Sequence, residues 1–355
     1  MNKGISTPIN ASLVVLSLWL MVAAASAAAA PLTEKDLVTQ APGPGLYELA
    51  YDASQNTLFA ASAPSFEKEK TTGVVFTLDP VTLAKKGAIT TSRRAFATAL
   101  DEENHTLYIG NTLEGSVTLI DTRSGKEMKT IQLSESTDPK HSVHTREMVL
   151  DKKNQRLYVS GVAEKGIIWV VDTRQQQHIA TLGNMGAWPT GLAVDADNHR
   201  LYAVNGWGEL IATDTNTHKL VSRVRVEPGV KHFFLNLALD TKNGRAFITD
   251  PDLPNVLVVD LARGKILHRI DVINALAVAY NPTRDEIYIT HRNARRISIV
   301  DATRYAVKSS INTQALPNSL ALSPDGQALY VSVKQGEKEM GKKADYVIKV
   351  DLTKI

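Results

Sequence analysis

From Pro189 to Val226 the chain alternates short apolar runs with polar turn clusters. Gly191–Val194 is small and apolar, Asp195–Asn198 is a turn cluster, and Arg200–Val204 centres on Leu201 and Tyr202. Asn205–Gly208 interrupts, Glu209–Thr213 resumes, and Asp214–His218 turns again. In the last run Leu220, Ser222, Val224 and Val226 face one way, and Lys219, Val221, Arg223 and Arg225 the other. A period of two marks a half-buried strand, so the stretch predicts four strands and three turns. One such sheet cannot bury both faces by itself.

The unit recurs. A hydrophobic–aromatic step stands at Leu58-Phe59, Leu107-Tyr108, Leu157-Tyr158, Leu201-Tyr202, Ala246-Phe247, Ile287-Tyr288 and Leu329-Tyr330. After each step an aspartate closes a third apolar run: Asp79, Asp121, Asp172, Asp214, Asp260, Asp301 and Asp351. Turn clusters such as DEEN at 101–104, DKKN at 151–154, DADN at 195–198 and DTKN at 240–243 precede the steps. Seven repeats of about four strands predict an all-β, seven-bladed β-propeller with four-stranded antiparallel blades. The seventh repeat runs out after its third strand, Tyr346–Val350. A spare strand near Glu34–Gln40 is expected to pair with this last blade and close the ring, which also removes an exposed edge.

Strand order sorts the loops. Turns after the first and third strands share one face and are tight Asp/Asn/Gly hairpins, read as scaffold. Loops after the second and fourth strands share the other face and include the long excursions Ser62–Thr72, Ser134–Thr145 and Gln335–Ala344. Insertions gather where repeat proteins bind, so this face is the expected functional one. Its candidate ligand-binding residues are Arg93, Arg94, Arg146, Trp188, Trp207, Lys231, His232, Phe233, His291, Arg292 and Lys334. Cations meet phosphates and flat rings stack on unpaired bases, so the set suits single-stranded nucleic acid. It equally suits a small anionic ligand in the central channel. Each residue also has a plainer reading. Arg93-Arg94 reads as a solvated charge pair, the two tryptophans as packing between blades, and His232 as the entry to a strand. His141 and His144 lie in a loop without a nearby third ligand, so no metal site is expected.

Composition narrows the alternatives. The 355 residues are 43% hydrophobic and 22% charged, which is enough for a full core. A formal charge of +3 is too balanced to argue for a polyanionic partner by itself. The absence of cysteine excludes disulfides, thiolate metal sites, covalent c-type haem and a lipidated N-terminal cysteine. Ala11–Ala25 is an apolar or small run preceded only by Lys3, and Ala25-Ser26-Ala27 fits a small-x-small cleavage site. Residues 1–27 therefore read as a signal peptide, and 28–355 as one propeller domain exported to the periplasm without membrane insertion. No GxSxG elbow, HExxH, P-loop or Rossmann fingerprint occurs, so no catalytic residue and no cofactor is assigned.

The stretches GVVFTLDPVTL (73–83), IIWVVDTR (167–174), KHFFLNLALD (231–240), RAFITD (245–250) and PNSLALSPDGQALYVSVKQ (317–335) resemble the YncE family, exported seven-bladed propellers of YVTN-type repeats. The similarity covers the whole mature chain in register. LYVSG (157–161) and LYVSV (329–333) stand where the repeat's namesake motif would be, without spelling it. The resemblance implies a periplasmic protein with a proposed single-stranded DNA-binding activity, a link to iron-regulated expression, and no established enzymatic activity. An envelope protein-interaction scaffold and a propeller lactone hydrolase are the alternative readings. If the N-terminal segment completes the last blade, deleting residues 28–40 lowers the melting temperature sharply; a calorimetric scan showing an unchanged value would refute the pairing.

Overall fold

The computed structural model describes residues 37–355 except 68, 137, 139, 340 and 341, together with Met1 and the pair 32–33. Apart from Met1, the expected leader lies outside the described residues. Seven antiparallel sheets follow one another along the chain. Their first strands are Leu46–Asp52, Ala97–Asp101, His144–Asp151, Pro189–Asp195, Asn236–Asp240, Ala275–Asn281 and Leu316–Leu322. These strands touch their neighbours all the way round, the seventh against the first, and so line a central channel. The seventh sheet joins Leu316–Leu322, Ala328–Lys334 and Tyr346–Asp351 to Val38–Gln40, with Val38 opposite Lys349 and Gln40 opposite Val347. Leu32–Thr33 runs parallel to the outer strand of the sixth blade, opposite Ile311–Asn312. Among the described residues no helix is long and apolar enough to cross a membrane.

The core lies between blades rather than within one. Tyr108 and Leu119 of the second blade pack with Leu157 and Trp169 of the third. Leu58 and Phe76 of the first pack with Tyr330 and Val347 of the seventh. The aromatic of every hydrophobic–aromatic step is buried there. Each blade thus depends on both neighbours for its apolar faces, as the repeat pattern requires.

Aspartates fix the hairpins. Asp101, Asp151, Asp195 and Asp240 each accept the backbone N–H of the asparagine three residues on, at 3.0–3.2 Å, and that asparagine's amide returns to the other carboxylate oxygen. The next residue, His105, Gln155, His199 or Gly244, then takes a left-handed backbone that reverses the chain. Between third and fourth strands Asp79, Asp121, Asp172, Asp214, Asp260 and Asp301 repeat the device.

The outer strands depart from the expected clean alternation. Leu220 and Val221 are both exposed, because pairing to Glu209–Asp214 slips by one residue between Ala212 and Thr213. The same slip occurs in each of the first six blades and leaves Met128, Ile179, Val221 and Leu267 on outward bulges. A bulge twists an edge strand away from pairing with another chain.

A second set of bulges faces the channel. Two residues of the first strand stand opposite one of the second in four blades: Tyr47-Glu48 against Ala61, Arg146-Glu147 against Ser160, Leu276-Ala277 against Thr290, and Asn318-Ser319 against Ser332. In three of them the facing hydroxyl accepts the displaced amide: Ser160 from Glu147, Thr290 from Ala277 and Ser332 from Ser319, at 2.8–3.1 Å. Two of these hydroxyls then donate to the next blade. Thr290 reaches the Asn318 carbonyl at 3.1 Å, and Ser332 reaches that of Tyr47 at 2.6 Å, joining the seventh blade to the first. Thr249 of the fifth blade does the same, from Asn236 N–H to the Leu276 carbonyl. Thr290→Val keeps shape but leaves the Ala277 amide unpaired, so it should cost about 1–3 kcal/mol of stability. The urea midpoint measures this, and an unchanged midpoint would show that the hydrogen bond contributes nothing.

Candidate channel-mouth binding site

The channel-facing bulges determine what the channel displays. All eight residues on them line one cavity of about 510 Å³ in the channel. A regular strand would send alternate residues into the two flanking blades; the extra residue re-aims the side chains inward. A second cavity, of about 990 Å³, opens at the loop-rich face and shares Tyr47, Leu235, Leu276 and Arg292 with the first. The opposite end of the channel is mostly apolar, lined by Leu100, Met148, Leu192 and Leu239 among others.

Three of the expected cations line the two cavities, Lys334 at the mouth, Arg146 in the deeper one and Arg292 in both. Lys334 Nζ sits 3.7 Å from the centre of the Tyr47 ring, donates to the Leu46 carbonyl at 2.8 Å and lies 3.7 Å from the Asp345 carboxylate. Burial pulls its ammonium down to about 8, against the opposing pull of Asp345. Arg292 is half-buried, lines both cavities, and has no hydrogen bond or ion pair from its side chain among the described residues. Arg146 lies 3.8 Å from Glu48 and its guanidinium stands 5.4 Å over the Phe96 ring. Phe96 in turn packs on Tyr47 at 4.1 Å. Burial pushes the Tyr47 phenol up to about 12.

Trp188, Trp207, Lys231 and Phe233 form a rim on the loop-rich face and line neither cavity. The loops that carry them end the fourth strand of one blade or the second strand of the next, which puts them on the same face. Trp207 is 46% and Trp188 39% exposed, and Lys231 is exposed too. Trp188 and Phe233 stand 6.2 Å apart. Both rings close over Gly206, where an added Cβ would meet each at 3.1 Å. Trp188 has φ of +51°, a left-handed backbone costly for a bulky residue. Its amide donates to the Ala163 carbonyl at 2.8 Å and helps to hold the ring at the surface.

Other expected surface residues lie inside. The Arg94 guanidinium is fully buried, paired with Glu114 and donating to the Ser65 and Glu67 carbonyls, so it organises the loop after the second strand. His232 is buried between Asp250 at 3.0 Å and Glu227 at 3.3 Å. His291 is buried with Nδ1 on the Ile273 carbonyl and Nε2 on Ser298, and burial lowers it to about 4. A neutral ring donates from one nitrogen and accepts at the other, which this pair satisfies. None of these three reaches solvent to meet a ligand. Arg93 is half-buried and donates to Gln132 at 2.6 Å.

Tyr47, Glu48, Phe96 and Glu147 were not among the expected site residues. Glu48 accepts the Thr98 amide at 2.8 Å, whereas the Glu147 carboxyl has no hydrogen bond among the described residues. Each is half-buried and lines the channel cavity. Burial, and then repulsion from Glu147, holds Glu48 well above the ordinary carboxylate range. Burial raises Glu147 to about 7, against the pull of Arg146. Both signals were in the sequence: Glu48, Glu147, Ala277 and Ser319 each stand eleven residues before the aromatic of their blade. Among the described residues no set of three or more His, Asp or Glu is placed to hold a metal ion.

A raised carboxyl keeps its proton longer folded than unfolded. Its contribution to stability is complete below the ordinary value of 4.5 and is lost as the pH rises to about 7. Glu147→Gln should therefore lose less stability than the parent between pH 4.5 and 7 when melting temperatures are compared across that window; parallel curves would show that the carboxyl titrates as it does unfolded.

No family model matches the chain. A protein named YncE from Salmonella typhi is 42% identical over 307 residues, 86% of this chain and 87% of its own. The YncE of Escherichia coli K12 is 39% identical over 352 residues, 98% of both chains. Antigen Lp49 of Leptospira interrogans is 24% identical over 222 residues, 60% of this chain and 47% of its own. Among solved structures, hydrazine synthase of Kuenenia stuttgartiensis superposes with a TM-score of 0.69 at 19% identity, covering 88% of this chain and 96% of that one, a likeness of fold alone. Identity of this order along nearly the full length, on a propeller of seven four-stranded blades, places the chain in the YncE family.

Proposed function

We propose that the protein is a binding propeller, released into the periplasm once residues 1–27 are removed, and that its channel-mouth face holds single-stranded DNA. The observation that carries this reading is the pair of exposed rings, Trp188 and Trp207, with half-buried Phe233 beside Trp188, on the same face as Arg292, whose side chain has no hydrogen bond or ion pair among the described residues. Stacking platforms beside cations bind unpaired bases with little regard to sequence. Arg295, Lys338 and Lys343 add positive charge around the opening, and Lys231 adds it elsewhere on the same face. Their charge is local, so affinity depends on salt rather than on the small net charge. Duplex DNA, with its bases already stacked, offers no faces to the rings.

Fluorescence anisotropy with a labelled single-stranded oligonucleotide, repeated over a salt series, tests this. Trp207→Ala should weaken binding by about 1–3 kcal/mol. Arg292→Ala should reduce the slope of log affinity against log salt by about 0.7. Parent-like affinity in the first variant together with a parent-like slope in the second would overturn the reading.

A further inference from the structure

The channel beneath the rim has a chemistry that a polyanion does not use. Both signs of charge line it. Arg292 and Tyr47 stand where the two cavities join, Glu48, Glu147 and Arg146 line only the deeper one, and aliphatic side chains such as Leu192, Leu237 and Leu320 line the same cavity. Arg146 compensates Glu48 at 3.8 Å and leaves Glu147 as the carboxyl with no hydrogen-bond partner among the described residues. At the outer end Arg292 is likewise without one. Both groups line the same cavity, Glu147 on a backbone bulge of the third blade and Arg292 in the turn after the second strand of the sixth. A cavity of about 510 Å³ falls within the range of small-molecule sites, which are mostly apolar with a few placed polar groups.

We infer that the channel is a binding site for a small zwitterion, an aliphatic amino acid or short peptide. Its carboxylate meets Arg292 at the mouth, its ammonium meets Glu147 below, and its side chain lies against the aliphatic wall. A charge-assisted hydrogen bond at each end would satisfy groups the protein leaves open. The raised Glu147 carboxyl supports this, since a ligand ammonium would favour its ionised form. The site is separate from the rim rings and does not rest on nucleic-acid binding.

Calorimetric titration with L-leucine, leucine amide and N-acetyl-leucine tests the inference on the full mature chain. Leucine should bind saturably, and each half-charged analogue at least tenfold more weakly. Glu147→Gln should weaken leucine at least tenfold while leaving N-acetyl-leucine unchanged, and Arg292→Ala should weaken leucine while leaving leucine amide unchanged. Circular dichroism of both variants separates a lost site from a lost fold. Saturable binding of N-acetyl-leucine as tight as that of leucine would overturn the zwitterion and leave an anion site. No saturable binding by any of the three would overturn the site altogether, whatever the oligonucleotide titrations give.

Discussion

A first strand that sets two residues against one leaves an amide without its ladder partner, and the propeller answers with a hydroxyl on the facing strand. Ser160, Thr290 and Ser332 each take that amide, and Thr290 and Ser332 pass a hydrogen bond on to the neighbouring blade. Leaving such a buried group unpaired costs more than the bond itself gains. In the sixth and seventh blades the bulge, the hydroxyl and the neighbour's carbonyl therefore come as one unit. They fix the spacing of adjacent blades, and with it the width of the channel. They also decide which side chains enter it, so the same local irregularity serves both assembly and site.

Rim and channel divide the labour along one axis. The rim is broad, aromatic and cationic, and Trp188 is held there in a backbone conformation it would not choose. The channel is narrow and carries both signs of charge. Arg292 stands at the junction of the two cavities, and Lys334, its ammonium pulled down by burial, packs on Tyr47 and lies 3.7 Å from Asp345 beside it.

The blade count was legible because its signal is periodic: seven aromatics and seven closing aspartates at nearly constant spacing. Asp-x-x-Asn turns announced their own hydrogen bonds. The completing strand near Gln40 could be named because the last repeat lacked one. Burial of individual polar residues was not legible. Arg94, His232 and His291 look like surface chemistry in one dimension, yet each meets partners such as Glu114, Asp250 and Ser298 across a turn or a hairpin that only folding brings into contact. Glu48 and Glu147 were passed over because a regular strand would not turn adjacent residues into the channel, and the bulge that does so is set by pairing. Its trace in three of the four bulged blades was a serine or threonine two residues after the aromatic, at Ser160, Thr290 and Ser332.

The pairing of Val38–Gln40 with Tyr346–Asp351 has a consequence for how the molecule is made. Six blades can form behind one another from contacts local in sequence, while the short N-terminal strand waits some three hundred residues for its partner. Closing so long a loop is entropically the most demanding contact in the chain, and topology of this kind slows folding. Until it forms, Tyr346–Asp351 presents an open edge. An unclosed ring is thus exposed to mispairing at this edge until the two strands meet.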